Sequence, residues 1–351
     1  MRPSPALFLL SVLSLFGMGE SRNSSANSSA GRNSSSYINY TTVTGFFAQD
    51  ENSTVASTFN YATTNLGLLN RTYPTDSEFD PKGAKTQWQR FEHYVEHLIK
   101  ESADNEQYKL IYMGRHGEGY HNVAESFYGT PAWDCYWSEL DGNGTITWAD
   151  AHITPKGEAQ ALVAHEFWKK ALVEAKIPAP EKYYSSPLDR CVATANLTFE
   201  GLDLPEKREF KPVIKELMRE ALGIHTCDRR SSKSAIHSRW PHFKFENDFA
   251  EEDPLWVSDV RESNSHLDAR VKTLLDDIFT NDDHTFISFT SHSGAIGGLL
   301  RVLGHITFSL QTGGVIPVLV KAETVRGTAP STTIAPGTSA PTCSADPTST
   351  A

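Results

Sequence analysis

The chain has few cysteines and fewer basic than acidic residues. Its 351 residues include four cysteines and four methionines, and no pair of cysteines has the Cys-x-x-Cys spacing typical of a structural zinc site. Lysine and arginine number 32 against 43 acidic residues, which gives a net charge of −11. This balance excludes a general basic surface for nucleic acid or anionic membranes. We therefore expect no metal, no cofactor and no nucleic-acid partner.

Long apolar runs are also missing. The N-terminal one, residues 6–16, is too short to span a bilayer comfortably. It follows Arg2 and precedes Gly17 and Gly19, which is the layout of a secretory signal. We predict a signal peptide over residues 1–19, with an uncleaved signal anchor as the alternative, and no stable membrane insertion otherwise.

Glycosylation sequons support secretion. Asn-x-Ser/Thr triplets crowd the N-terminal part of the chain and recur later. They begin at Asn23, Asn27, Asn33, Asn39, Asn52, Asn70, Asn143 and Asn196. We predict an N-glycosylated protein of the secretory pathway, located outside the cell, in the cell wall or in a vacuole.

Composition divides the remainder into three stretches. Residues 20–36 are rich in Ser, Asn and Gly and predict a disordered, glycosylated spacer, whereas residues 327–351 predict a disordered Ser/Thr/Pro-rich tail. The sequence between them, 37–326, reads as one domain. Within it, residues 224–264 are weakly periodic and predict an insertion or lid over the site.

The four cysteines permit one or two disulfides in an oxidising compartment, although sequence does not give the pairing. Cys135 and Cys227 would join two loops expected to flank the site, and Cys191 is read as a small buried hydrophobe.

The central motif follows a short apolar run. Residues 109–113 predict a buried strand that stops at Gly114, and Arg115, His116 and Gly117 come next. Side chains at the carboxyl end of a strand in an open α/β sheet face the ligand crevice. Arginine offers a planar fork of donors to phosphate oxygens, and a neutral histidine can attack phosphorus. The alternative for an isolated triplet is a salt-bridged arginine beside a satisfied core histidine.

Three more segments carry a family resemblance. Asn122 lies six residues after His116, residues 185–195 read Ser-Ser-Pro-Leu-Asp-Arg-Cys-Val-Ala-Thr-Ala, and residues 289–294 read Phe-Thr-Ser-His-Ser-Gly. With the first motif, and in this order, they resemble the histidine phosphatase superfamily, also called phosphoglycerate mutase-like. More closely, the chain resembles a fungal branch of that family carrying Arg-His-Gly-Glu-Gly-Tyr-His-Asn, over roughly residues 41–323.

The resemblance implies an α/β fold: a three-layer α/β/α sandwich with a mostly parallel central sheet. It implies that His116 is the nucleophile and that Arg115, Arg190, Asn122 and His292 hold the phosphate. Gly117, Glu118 and Ser293 belong to the same phosphate-binding segments. Neither metal nor cofactor is required by this chemistry.

The general acid lies where the chain departs from the family's pattern. The family places it in Leu-Arg-Glu-x-x-x-x-Gly, whereas the stretch 217–223 is one residue shorter from leucine to glycine and has two residues, not four, between the glutamate and the glycine. We predict Glu220, with Glu216 as the second choice. Arg229 and Arg230 are candidate substrate contacts, with solvated loop charges as the alternative. Pro317, in a final strand over 315–320, predicts an edge position.

We expect a metal-independent phosphatase that hydrolyses phosphate monoesters through a phosphohistidine on His116. The Arg-His-Gly-x-Arg-x-Pro motif of phytases and acid phosphatases is not matched: after Glu118 at the free position, Gly119 and His121 stand where the motif has its second arginine and its proline. The alternatives are a phosphomutase or a biosynthetic phosphatase acting on a phosphorylated or diphosphorylated metabolite, and a non-catalytic module that binds a phosphate ligand or a protein. The sequence leaves the natural substrate and the oligomeric state open.

Overall fold

A seven-stranded sheet organises the computed structural model, which describes residues 35–348. The predicted signal peptide and residues 20–34 of the predicted spacer lie outside this range. The strands are β1 (Ser36–Thr42), β2 (Glu106–Arg115), β3 (Lys182–Ser185), β4 (Val213–Ile214), β5 (Lys244–Phe245), β6 (Phe286–Ser291) and β7 (Val315–Arg326). Their spatial order is β1-β7-β2-β6-β3-β4-β5. The pairs from β2 to β5 are parallel, and β7 is antiparallel to both β1 and β2.

Helices connect the strands. They are α1 (Asp76–Phe79), α2 (Gln87–Lys100), α3 (Tyr120–Tyr128), α4 (Thr130–Cys135), α5 (Pro155–Val173), α6 (Asp189–Phe199), α7 (Lys233–Arg239), α8 (Asn264–Asn281) and α9 (Ser293–Val302). The Thr154 hydroxyl accepts a hydrogen bond from the Gly157 amide at 3.1 Å, and Pro155 occupies the first turn of α5. Both are the expected chemistry of a helix start. Within residues 35–348 no helix combines the length and apolarity needed to cross a membrane.

The two faces of the sheet carry separate apolar layers, because alternate side chains of a strand point to opposite sides. Ile111 and Met113 of β2 pack with α8 and α9, whereas Leu110 and Tyr112 pack with α2, α5 and α6. The result is an α/β/α sandwich with a mostly parallel sheet, as the resemblance implied. The carboxyl ends of β2, β3 and β6 meet at one edge.

Residues 224–264, predicted as an insertion or lid, are built into the domain. They contain α7 and β5, which extends the sheet beyond β4. Ile236, Phe243 and Phe249 pack against Val192 of α6 and Ile214 of β4. This apolar contact explains why a weakly periodic stretch is nevertheless ordered.

Pro317 does not mark an edge strand, since β7 lies between β1 and β2. However, β1 pairs only with residues Val320 to Arg326 of β7. At Pro317 the side of β7 away from β2 is therefore open to other contacts, and the Gln49 amide donates there to the Pro317 carbonyl at 3.2 Å. Because no strand within residues 35–348 pairs with that side of β7 at Pro317, the missing N–H of proline removes no hydrogen bond between strands.

The C-terminal strap, residues 327–348, is ordered against the domain where we expected a disordered tail. Its Thr338 pairs with Arg261 through two backbone hydrogen bonds. Further along, Cys343 forms a disulfide with Cys135, and the Trp137 indole donates to the Pro347 carbonyl at 3.0 Å. The suggested Cys135–Cys227 pairing is wrong, because Cys227 is a buried free thiol, as is Cys191. Sequence composition could not reveal a cross-link that spans 208 residues.

Candidate active site

The ends of three parallel strands bring the predicted residues together. Arg115 ends β2, with His116 next in the chain, and His292 directly follows β6. The segment after β3 leads to Arg190 in the first turn of α6. His116, His292 and Arg190 are all at most 2% exposed. We call His116, His292, Arg115 and Arg190 the His–Arg cluster.

His116 has a defined tautomer. Its Nδ1 lies 2.7 Å from the Gly117 carbonyl oxygen, and because a carbonyl can only accept, Nδ1 carries the proton and Nε2 holds a lone pair. Burial lowers the pKa of His116 well below its usual value, and the positive charges of Arg190 and Arg115 act in the same direction. The side chain is therefore neutral at neutral pH, with Nε2 available as a nucleophile.

His292 faces His116 with a ring-centroid distance of 5.2 Å. Its Nδ1 accepts from the Arg190 Nε at 3.2 Å, so Nε2 carries the proton and donates to the Ser186 hydroxyl at 2.8 Å. Burial, followed by the charge of Arg190, lowers the pKa of His292 well below its usual value. This second histidine is a neutral hydrogen-bond donor beside the first.

The two arginines differ in how they are held. Arg115 donates to the Leu310 carbonyl at 2.8 Å, and its buried Nε has no hydrogen-bond partner among residues 35–348. Arg190 donates to the Cys227 carbonyl at 2.6 Å and to the Asp228 carboxylate at 2.8 Å. A guanidinium buried in this way keeps its charge and supplies fixed donors for an anion.

Glu220, rather than Glu216, lies beside the cluster. The Glu220 carboxylate accepts from the Gly294 amide at 2.9 Å, at the start of α9. Glu220 also acts electrostatically on Arg115. Burial lowers the pKa of Arg115, and the negative charge of Glu220 opposes that effect. Glu216 is instead bonded to Arg219 at 2.9 Å and to Arg230 at 2.8 Å. Glu216 is thus committed to two arginines, whereas Glu220 contacts the start of the helix that follows His292, so the geometry favours Glu220 as the candidate acid.

Three predicted binding residues have other partners. The Glu118 carboxylate accepts from Thr154 at 2.9 Å and from Lys156 at 2.7 Å. Arg229 pairs with Asp141 at 2.7 Å. The Arg230 guanidinium is committed to Glu216 and to the carbonyl oxygens of residues 250, 251 and 252. These contacts occupy the groups that were expected to meet substrate.

The remaining predicted residues have local structural contacts or are exposed. Asn122 caps α3, because its Oδ1 accepts from the Gly119 amide at 3.0 Å. Ser293 is exposed at the first residue of α9. The Gly117 amide donates to Thr194 at 2.9 Å, and a Cβ added at Gly117 would lie 2.3 Å from the Gly157 carbonyl oxygen. Close backbone packing, rather than approach to a ligand alone, requires glycine there.

Sequence reasoning missed two buried residues beside the cluster. The His121 ring is tilted relative to the His116 ring, with 5.4 Å between the ring centroids. His121 is 8% exposed, and its Nδ1 has no hydrogen-bond partner among residues 35–348. Asp228 binds Arg190. The position of His121 inside the first motif was a usable signal, whereas nothing in the sequence of residues 224–264 singled out Asp228.

One group in the described part of the chain has metal-ligand character. His225, Cys227 and Asp228 bring their ligand atoms within 4.8 Å of one another. However, the two oxygens of Asp228 are bonded to Arg190 and Arg261 at 2.8 Å each. Two adjacent cations make this carboxylate a poor ligand for a third, so the group does not fit a metal.

The buried histidines predict a falling stability in acid. Burial lowers the pKa values of His116, His121 and His292 well below 6.5, whereas the unfolded chain titrates near about 6.5. Each histidine therefore contributes stability that is present above pH 6.5 and is lost as the pH falls below it, by up to about 1.4 kcal/mol per pH unit. Urea unfolding at several pH values measures this slope. His121→Leu should reduce the change in unfolding free energy per pH unit by the contribution of one histidine. An unchanged slope would contradict the argument.

The chain resembles proteins of one family over most of its length. Residues 111–312 match the sequence profile of the histidine phosphatase superfamily (branch 1). A protein of Arthroderma benhamiae named "Probable phosphoglycerate mutase" is 53% identical over 287 residues, which cover 82% of this chain and 85% of that protein. "Phosphomutase-like protein 3" of Candida albicans is 42% identical over 227 residues, covering 64% of this chain and 69% of that protein.

A solved mycobacterial glucosyl-3-phosphoglycerate phosphatase superposes with a TM-score of 0.36 at 16% sequence identity, covering 63% of this chain and all of that one.

Proposed function

Because the chain belongs to the histidine phosphatase superfamily, we propose that it is a secreted phosphatase that hydrolyses phosphate monoesters through a phosphohistidine on His116. One observation carries the proposal: the hydrogen bond from His116 Nδ1 to the Gly117 carbonyl leaves Nε2 unprotonated. Arg190 and Arg115 place positive charge near His116, and the His292 ring lies beside it with 5.2 Å between the ring centroids. Such an arrangement suits a phosphoryl group, whose transfer needs neutralised oxygens and a positioned nucleophile.

In the first step His116 Nε2 attacks phosphorus. A bond from nitrogen to phosphorus forms, the bond to the ester oxygen breaks, and Glu220 gives its proton to the departing oxygen. Arg115 and Arg190 balance the charge that spreads over the other phosphate oxygens. In the second step water attacks phosphorus, the bond to nitrogen breaks, and Glu220 takes the proton from water. A positioned acid of this kind contributes about 10²–10⁴-fold to the rate.

A mutase is the second candidate, and the names of the relatives favour it. The Arthroderma protein is named a probable phosphoglycerate mutase and the Candida protein a phosphomutase-like protein. A mutase returns the phosphoryl group from the histidine to the substrate and keeps water out. The predicted signal peptide favours hydrolysis, because the phosphorylated substrates and priming cofactor of a glycolytic mutase are intracellular.

The experiment separates the two by following both products of an aryl phosphate. Hydrolysis releases inorganic phosphate and aryl alcohol in equal amounts, with and without a chelator. A mutase in the presence of phosphoglycerate and its bisphosphate primer instead exchanges phosphoryl positions, with little phosphate released. Absence of both activities in a folded sample would contradict the proposal and favour a binding role.

A further inference from the structure

Arg190 is held by an ion pair that extends away from the His–Arg cluster. The Asp228 carboxylate is 2% exposed and lies between two cations. One oxygen accepts from Arg190 and the other from Arg261, each at 2.8 Å. Burial opposes ionisation of this group, but Arg261 and Arg190 outweigh it and lower the pKa of Asp228 to about 2. Asp228 is therefore ionised at neutral pH, with one carboxylate oxygen bonded to the Arg190 guanidinium.

Arg261 connects this ion pair to the segment that carries the candidate acid. The same Arg261 nitrogen that bonds Asp228 lies 2.9 Å from the carbonyl oxygens of Ala221 and Gly223. The next residue, Glu262, accepts from the Leu222 amide at 3.0 Å. Residues 261 and 262 thus form hydrogen bonds both to Asp228 and to the residues immediately after Glu220.

The C-terminal strap holds Arg261 from the other side. Arg261 donates its amide to the Thr338 carbonyl at 2.7 Å and accepts from the Thr338 amide at 3.0 Å. The Ser263 hydroxyl donates to the Ala335 carbonyl at 2.8 Å. The disulfide to Cys135 then anchors the far end of the strap. A continuous series of bonds runs from that disulfide to the guanidinium of Arg190.

We propose that Asp228 and Arg261 are positioning residues for Arg190, and that the disulfide-anchored strap keeps Arg261 in place and so sets the affinity of the site for phosphate. The inference rests on the proposed function, because it assigns Arg190 to a phosphate ligand. Loss of the strap's attachment should weaken phosphate binding without removing any residue that touches the phosphate.

Phosphorus NMR titration with inorganic phosphate tests the positioning of Arg190 by Asp228. Asp228→Asn should raise the dissociation constant at least about tenfold, because it removes the anion that orients a buried arginine. In an Arg190→Ala background the same substitution should change it less than about twofold. The matched control is Arg301→Gln, which removes an exposed arginine bonded to Asp268 and should change nothing. An equal effect of Asp228→Asn in both backgrounds would overturn the positioning role.

The strap is tested with the Cys135→Ser, Cys343→Ser double variant, which leaves every buried ion pair intact and so carries the test if Asp228→Asn fails to fold. We expect the dissociation constant for phosphate to rise about threefold or more, and KM for an aryl phosphate to rise more than kcat falls. An unchanged dissociation constant would overturn the role of the strap. Failure of the proposed function is a separate result: wild-type protein that binds phosphate but hydrolyses no ester.

Discussion

Replacing His116 with alanine is expected to lower kcat/KM for an aryl phosphate by at least about 10⁴-fold. The loss follows from removal of the atom that attacks phosphorus, whose lone pair is fixed by the hydrogen bond to Gly117. Phosphate release by wild type and variant, measured under the same conditions, gives the ratio.

Two controls keep this result interpretable. His116 is buried, so circular dichroism and thermal unfolding must show that the variant is folded. Added imidazole, which can enter the space left by the side chain, should restore part of the activity of His116→Ala. Substantial turnover by a folded variant without imidazole would rule out His116 as the nucleophile.

Replacing Glu220 with glutamine is expected to act selectively on esters with poor leaving groups. An alkyl phosphate needs a proton on its departing oxygen, so its hydrolysis should slow by about 10²–10⁴-fold. An aryl phosphate leaves readily without that proton and should be affected far less. The measurement is kcat/KM for one ester of each class.

Glu216→Gln is the matched control, since Glu216 lies four residues before Glu220 and forms ion pairs with Arg219 and Arg230. It should lower the stability of the protein and affect the two classes of ester to the same extent. A larger selective effect in Glu216→Gln than in Glu220→Gln would reverse the assignment of the acid.

The core of the site could be predicted because its residues follow strand ends in short motifs. Arg115, His116, Arg190 and His292 come together because parallel strands present their carboxyl ends at one edge. The α/β/α sandwich was predicted from the resemblance to the histidine phosphatase superfamily. Glu220 could be chosen only provisionally, because two glutamates lay near the motif and the partners of Glu216 were not visible in the sequence.

The partners of charged side chains account for most of what was missed. Arg230 was a candidate substrate contact, yet it is committed to Glu216 and backbone carbonyls. Asp228 appeared as one acidic residue among many, although it forms a buried ion pair with Arg190. Such pairings depend on which distant segments fold together, and composition carries no information on that.

The order of the C-terminal strap is a similar case. A Ser/Thr/Pro-rich composition normally predicts disorder because it offers little apolar surface to bury. Here a disulfide and backbone pairing with Arg261 fix the segment without a core of its own.

The central claim is a covalent phosphohistidine on His116, and trapping that intermediate tests it most directly. The protein is mixed with a radiolabelled aryl phosphate and quenched in alkali, because phosphohistidine is labile in acid. The labelled peptide is then identified by mass spectrometry. We predict one phosphoryl group on the peptide that contains His116, and none in the His116→Ala variant. Turnover with the label on another residue, or with no labelled protein at any time, would contradict the mechanism.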